Sequence, residues 1–193
     1  MKIGVLSDTH VSRVSDLPPS VIRALENADL IVHLGDFDSL QLLNELREMG
    51  DFIGVAGNHD GQDIRKILSE KEILEIKGKR LGLVHGHGCV LPLGFQYGLL
   101  NQFKDDEVDA VLYGHTHIIK NYTAGDVLFF NPGSAAGRFP AFWKSFGMLE
   151  VNGNIRAEIH HIVEKDRALL PHFAYSGMEW FASRRFVFHR MLP

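Results

Sequence analysis

Cysteine is almost missing from this chain. Cys89 stands alone among 193 residues, so no internal disulfide can form, and a secreted, disulfide-stapled design is excluded. A reducing, cytoplasmic setting is the expectation. An excess of one charge is missing as well: Lys and Arg number 20 against 24 Asp and Glu, for a net charge of -4. That leaves neither a basic footprint for nucleic acid nor an acidic tail. Long apolar runs are absent too. Lys2 opens onto an apolar stretch already broken at Asp8, too short for an export signal and far too short to span a bilayer. No internal repeat and no low-complexity linker interrupts the sequence. What remains is an ordinary globular composition, 45% hydrophobic and 23% charged. A chain of this length can bury about 70% of its unfolded surface around one core. The one excess is histidine, with 11 residues.

Those histidines fall where apolar runs stop. Ile3 to Leu6 ends in Ser7-Asp8-Thr9-His10, and Leu30 to Leu34 ends in Gly35-Asp36. Phe52 to Ala56 ends in Gly57-Asn58-His59-Asp60, Arg80 to Val84 in His85-Gly86-His87-Gly88, and Asp109 to Tyr113 in Gly114-His115-Thr116-His117. Each reads as a buried strand delivering a polar tip. In an extended backbone residues i and i+2 face the same way, which predicts that Asp8 and His10 share a face and that His115 and His117 lie side by side. Gly114 removes the side chain that would block a close approach. Between the strands, Val21, Ile22 and Leu25 recur at helical spacing, as do Leu40, Leu43, Leu46 and Met49, with Asp38 and Gln41 placed as a capping box. Ile64, Ile67 and Leu68 predict a third helix, and Leu93 to Phe103 a fourth. Glu72 to Ile76 and Arg80 to Val84 flank a turn at Gly78; Val127 to Phe130, Phe146 to Val151 and Ile155 to Val163 complete the strands. Early strands alternate with helices and later ones follow short turns, a pattern that predicts a layered α/β domain over residues 1–163. An aromatic and basic extension, 164–193, reads as one appended helix.

Ligand sites of open α/β sheets form at the carboxyl ends of strands, so these polar tips converge. Carboxylate and amide oxygens mixed with imidazoles suit divalent transition ions better than calcium. The donors are too many for one ion. Two ions about 3.5 to 4 Å apart, bridged by a carboxylate and a hydroxide, would use them all.

In order and spacing, Asp8-x-His10, Gly35-Asp36, Gly57-Asn58-His59-Asp60, His85-Gly86 and Gly114-His115-x-His117 resemble the calcineurin-like metallophosphoesterases. The small size and the Asn131-Pro132-Gly133-Ser134 turn are similar to the compact phosphodiesterases of the YfcE type. The resemblance implies a four-layer α-β-β-α sandwich that hydrolyses a small phosphodiester or phosphomonoester. It also implies two divalent ions, manganese foremost, with nickel, iron or zinc as alternatives. Asp8, His10, Asp36 and His117 would hold one ion; Asp36, Asn58, His85 and His115 would hold the other. Asp36 would be the bridge, and a bridging hydroxide the nucleophile. His59 would protonate the leaving alkoxide and Asp60 would orient His59.

One departure stands out. Protein phosphatases of the superfamily follow Gly-Asp with an Asp-Arg pair that grips phosphate, whereas Gly35-Asp36 continues Phe37-Asp38-Ser39. Arg13 or Arg138 could supply the guanidinium, but both read better as surface charges. His87 faces the way His85 does and reads equally as a substrate contact or a bystander. His33 reads as a core histidine beneath the site, and His160 and His161 as late-strand residues without a role. The Asn131 to Ser134 turn either braces the metal loops or is a plain turn. For 164–193, packing on its own domain, on a sister subunit as a homo-oligomer, or over the cleft stays open. The rival to hydrolysis is a protein-binding scaffold, because a retromer coat subunit shares the fold after losing key metal histidines. This chain keeps them.

Overall fold

The structure is a computed structural model that describes residues 1–89, 94–137, 141 and 143–163. In chain order its elements are β1 (Lys2–Leu6), α1 (Pro19–Glu26), β2 (Leu30–His33), α2 (Leu40–Met49), β3 (Phe52–Gly54), α3 (Gln62–Arg65), β4 (Lys71–Ile76) and β5 (Lys79–Val84). Then follow α4 (Phe95–Gln102), β6 (Ala110–Tyr113), β7 (Lys120–Ala124), β8 (Val127–Asn131), β9 (Ser145–Asn152) and β10 (Asn154–His161).

The continuous apolar runs become central parallel strands, as burial on both faces requires. In the first sheet β1 pairs with β2 and β2 with β3, all parallel, setting Ile3 opposite Leu30 and Leu6 opposite His33. The hairpin of β9 and β10 joins the other side of β1 antiparallel, giving the order β10-β9-β1-β2-β3. The second sheet runs β4-β5-β6-β8-β7, with β5, β6 and β8 parallel. Val5, Val32, Leu81, Leu83, Leu112 and Phe130 are among the residues buried between the two sheets. On the outer face of the first sheet, Leu6 and Ile31 meet Val21 and Leu25 of α1 and Leu42 and Leu46 of α2. On the second sheet, Val111 and Phe129 meet Leu99 of α4. The layers are therefore α-β-β-α: the layered α/β domain that the strand-and-helix pattern predicts, in the four-layer form that the resemblance implies.

Four local expectations change. Ser39 caps α2 rather than Asp38: its hydroxyl accepts from the Leu42 amide at 3.1 Å, while Asp38 takes a left-handed backbone with φ 86. The third helix is a single turn, so Ile64 is buried but Ile67 stays 44% exposed. The fourth begins at Phe95, behind Gly94 at φ 96. Strand β7 had no signal, because four of its five residues are exposed on a sheet edge and show no apolar alternation. The Gly78 turn forms as predicted, with Lys77 at φ 51 and Gly78 at φ 76, the paired positive angles of a two-residue hairpin. Arg138 and the extension 164–193 lie outside the described residues. No helix of the described residues is long and apolar enough to cross a membrane.

Candidate metal centre

The motif residues lie just past the carboxyl ends of β1, β2, β3, β5 and β6, and the backbones of five of them are not extended. Asp8 (φ 51), His10 (φ 45), Asp36 (φ 61), His115 (φ 64) and His117 (φ 57) all occupy the left-handed region. Asp and His tolerate it better than most residues do. This corrects the pleat argument. Because the chain has left the strand, alternation does not set the direction of the side chains, and the two histidines go to different neighbours. His117 Nε2 lies 3.2 Å from Asp8 Oδ1, whereas His115 Nδ1 lies 2.9 Å from Asn58 Oδ1.

Close packing of these loops needs missing side chains. A Cβ on Gly114 would stand 1.8 Å from Ser7 Oγ and 2.8 Å from Asp8 Oδ2. One on Gly57 would stand 2.2 Å from Asp36 Oδ1. No larger residue fits either place without moving a donor.

Two groups of ligand atoms result, Asp8-His10-His117 and Asp8-Asp36-His85, each with its atoms within 4.8 Å of one another. Asp36 Oδ2 lies 3.3 Å from His85 Nε2 and 4.0 Å from His10 Nε2, so it faces both groups. Asn58 Oδ1 stands 3.0 Å from His85 Nε2, which brings Asn58 and His115 to the second group. All seven predicted donors thus meet at one end of the sheets.

A cation fits this set on two grounds. Asp8 Oδ1 is buried and makes no hydrogen bond among the described residues although His117 Nε2 stands 3.2 Å away, an arrangement in which a cation between the two would satisfy both. The charge pattern agrees. Burial alone would raise the Asp36 carboxyl, but the hydrogen bond and charge of His85, together with the His59 amide, hold it below the usual carboxylate range. Burial likewise opposes a charged His85, yet Asp36 and Asp8 raise its pKa. The Leu34 carbonyl, 2.6 Å from His85 Nδ1, can only accept. It therefore keeps a proton on Nδ1 and turns Nε2 towards the carboxylates.

A supporting layer fixes the donors, and part of it had no sequence signal. Ser7 Oγ donates to Asp8 Oδ2 at 2.6 Å. Ser134 Oγ donates to the Asp8 carbonyl at 2.8 Å. Asn131 Nδ2 donates to the Gly114 carbonyl at 2.8 Å and to Thr116 Oγ1 at 3.1 Å. The Asn131 to Ser134 turn is therefore a brace. Arg65 donates to the carbonyls of Gly57, Asn58 and Asp60; contacts made only to backbone leave no pattern in a sequence. Beneath the site His33 is fully buried and stacked on Phe37 at 3.6 Å. The Gly35 amide donates to its Nδ1 at 3.2 Å, so its proton sits on Nε2, 3.0 Å from Thr9 Oγ1.

Asp60 has a different job from the orientation of His59. Its carboxylate is buried and accepts from the amides of Asp36, Phe37 and Gly57 at 2.9, 2.8 and 2.7 Å. It ties the β2 loop to the β3 loop. His59 itself is exposed, with its amide on Asp36 Oδ1 at 2.8 Å and its ring 5.7 Å from that of His10. His87 stands at the other end, 5.6 Å from the His85 ring and 6.4 Å from the His115 ring. Arg13 is exposed and caps a single 3₁₀ turn. His160 and His161 are exposed on β10.

Comparison with known proteins agrees with this geometry. A probable metallophosphoesterase of Methanocaldococcus jannaschii is 37% identical over 166 residues, 85% of this chain and 83% of that protein. A phosphodiesterase of the same organism is 33% identical over 155 residues, 71% of this chain and 86% of that protein. Among solved structures, wild-type Vps29 of Entamoeba histolytica complexed with zinc superposes with a TM-score of 0.67 at 27% identity, over 83% of this chain and 99% of that one. Residues 1–154 match the model of the calcineurin-like phosphoesterase superfamily domain, and the chain belongs to that family.

Proposed function

We propose that this protein is a dinuclear metal-dependent phosphoesterase acting on small phosphodiesters, with phosphomonoesters as the related alternative. One observation carries the reading: two groups of ligand atoms sit side by side with the buried Asp36 Oδ2 facing a histidine of each, and Asp8 Oδ1 has no hydrogen bond among the described residues. Asp8, His10, Asp36 and His117 would hold one ion and Asp36, Asn58, His85 and His115 the other, with manganese the expected metal. When bound, such ions make a hydroxide available at neutral pH and offset the charge of the phosphoryl group.

The chain's own residues do the rest. Asp36 faces both groups through Oδ2 while its Oδ1 is held by the His59 amide, which suits it to bridge. Asp36, whose carboxyl His85 and the His59 amide hold below the usual carboxylate range, keeps its negative charge where two cations need it. His59 lies outside both donor groups, so its ring is free to give a proton to the departing ester oxygen. His59→Ala tests this. Alkyl diesters, whose leaving groups need a proton, slow by about 100-fold or more; nitrophenyl diesters, whose leaving groups do not, slow far less. Equal slowing of both contradicts the assignment.

The likeness to Vps29 favours a second reading, a protein-binding scaffold on the same fold. The complete donor set weighs against scaffolding as the sole function. Asp36→Asn separates the two: it ends hydrolysis under the first reading and leaves partner binding intact under the second. Self-association through 164–193 is part of the proposal, checked by light scattering on the full chain.

A further inference from the structure

The buried polar atoms without a hydrogen bond among the described residues are Asp8 Oδ1, Arg80 Nε and His87 Nδ1. The first belongs to the donor groups, and the second faces the Glu75 carboxylate at 3.1 Å. His87 Nδ1 is left unexplained. Buried N–H groups without an acceptor are rarer in folded proteins than buried acceptors left bare, and in a neutral imidazole one ring nitrogen carries the proton and the other a lone pair. The favoured tautomer therefore leaves Nδ1 bare and puts the proton on Nε2. The ring is only partly buried, so Nε2 is the nitrogen left to meet a ligand.

Position gives this donor a purpose. His59 stands beside His10 of one donor group, while His87 stands beside His85 and His115 of the other. Two imidazoles that belong to neither donor group thus flank the centre from opposite ends. We infer that His87 is a substrate-binding residue whose Nε2–H donates to a phosphoryl oxygen on the side away from His59. This rests on the phosphoesterase reading above. It assigns the two histidines separate tasks, His59 serving the leaving oxygen and His87 the oxygens that stay.

The test is calorimetric binding of inorganic phosphate to the manganese-loaded full chain, with the metal content measured alongside. His87→Phe weakens phosphate binding by about tenfold, the worth of one hydrogen bond to an anion. His87→Gln, whose amide reaches the place of Nε2, stays within about threefold of the wild type. Both keep the wild-type metal content. In turnover, His87→Phe lowers kcat/KM for alkyl and nitrophenyl diesters by the same factor, unlike His59→Ala. His87→Ala gives the same readout should the larger ring prevent folding. Wild-type phosphate affinity in His87→Phe overturns the inference, as does equal loss in the Phe and Gln variants or a loss of bound metal. A wild-type chain that takes up neither manganese nor phosphate overturns the phosphoesterase reading itself, a result distinguishable from the others.

Discussion

Ser134 donates its hydroxyl to the backbone carbonyl of Asp8 across 2.8 Å, joining residues 126 positions apart. The bond links the loop after β8 in the second sheet to the loop after β1 in the first. It fixes Asp8, whose carboxylate lies within reach of both groups of ligand atoms. Ser134→Ala should therefore do two things together. Unfolding free energy falls by about 1 to 3 kcal/mol, because a buried carbonyl loses its donor. Manganese affinity falls by about 10 to 100-fold, as when a residue supporting a metal ligand is lost. Chemical denaturation and a metal titration check both; a stability loss with unchanged affinity separates Ser134 from the centre.

Asp60 gives a sharper contrast, because the resemblance implies a place behind His59 whereas its carboxylate accepts from the amides of Asp36 and Gly57. Asp60→Asn replaces one carboxylate oxygen with an N–H donor that must face backbone amides. Urea denaturation should show a loss of about 3 to 5 kcal/mol. A residue that only oriented His59 would leave stability unchanged and slow alkyl diesters more than nitrophenyl diesters.

His33 sets a pH dependence whose sign follows from its burial. Burial first, then the charge of His85, lowers its pKa from 6.5 to about 3. Between those values the unfolded chain binds the proton that the folded chain refuses, so stability falls as the pH drops, by up to about 1.4 kcal/mol per pH unit. Above 6.5 the effect vanishes, and below about 3 it no longer grows. His33→Gln cannot titrate. Measured on metal-free protein, the stability of the wild type relative to this variant should drop by about 2 kcal/mol from pH 6.5 to 4.5. A flat difference contradicts the buried neutral imidazole.

Much of this is legible in the sequence because each donor follows a four- or five-residue apolar run closed by turn residues, too short for a helix and suited to a central strand. Asp8, Asp36, His85 and His115 were placed at one rim by that fact alone. The left-handed backbones of Asp8, Asp36 and His115 are not legible: the strand pleat predicts His115 and His117 side by side, whereas they turn to Asn58 and to Asp8. Ser39 outcompeted Asp38 as a cap because the chain at Asp38 turns left-handed. Arg65, Ser7 and strand β7 gave no signal, since carbonyl contacts, a single serine and an exposed edge look like ordinary surface.

The account stands on the number and place of the ions. An anomalous difference map from crystals grown with manganese should contain two peaks about 3.5 to 4 Å apart. Asp36 should lie between them, with Asp8, His10 and His117 around one and Asn58, His85 and His115 around the other. A map with no peak at these residues, or with a single peak that leaves one donor group bare, contradicts it.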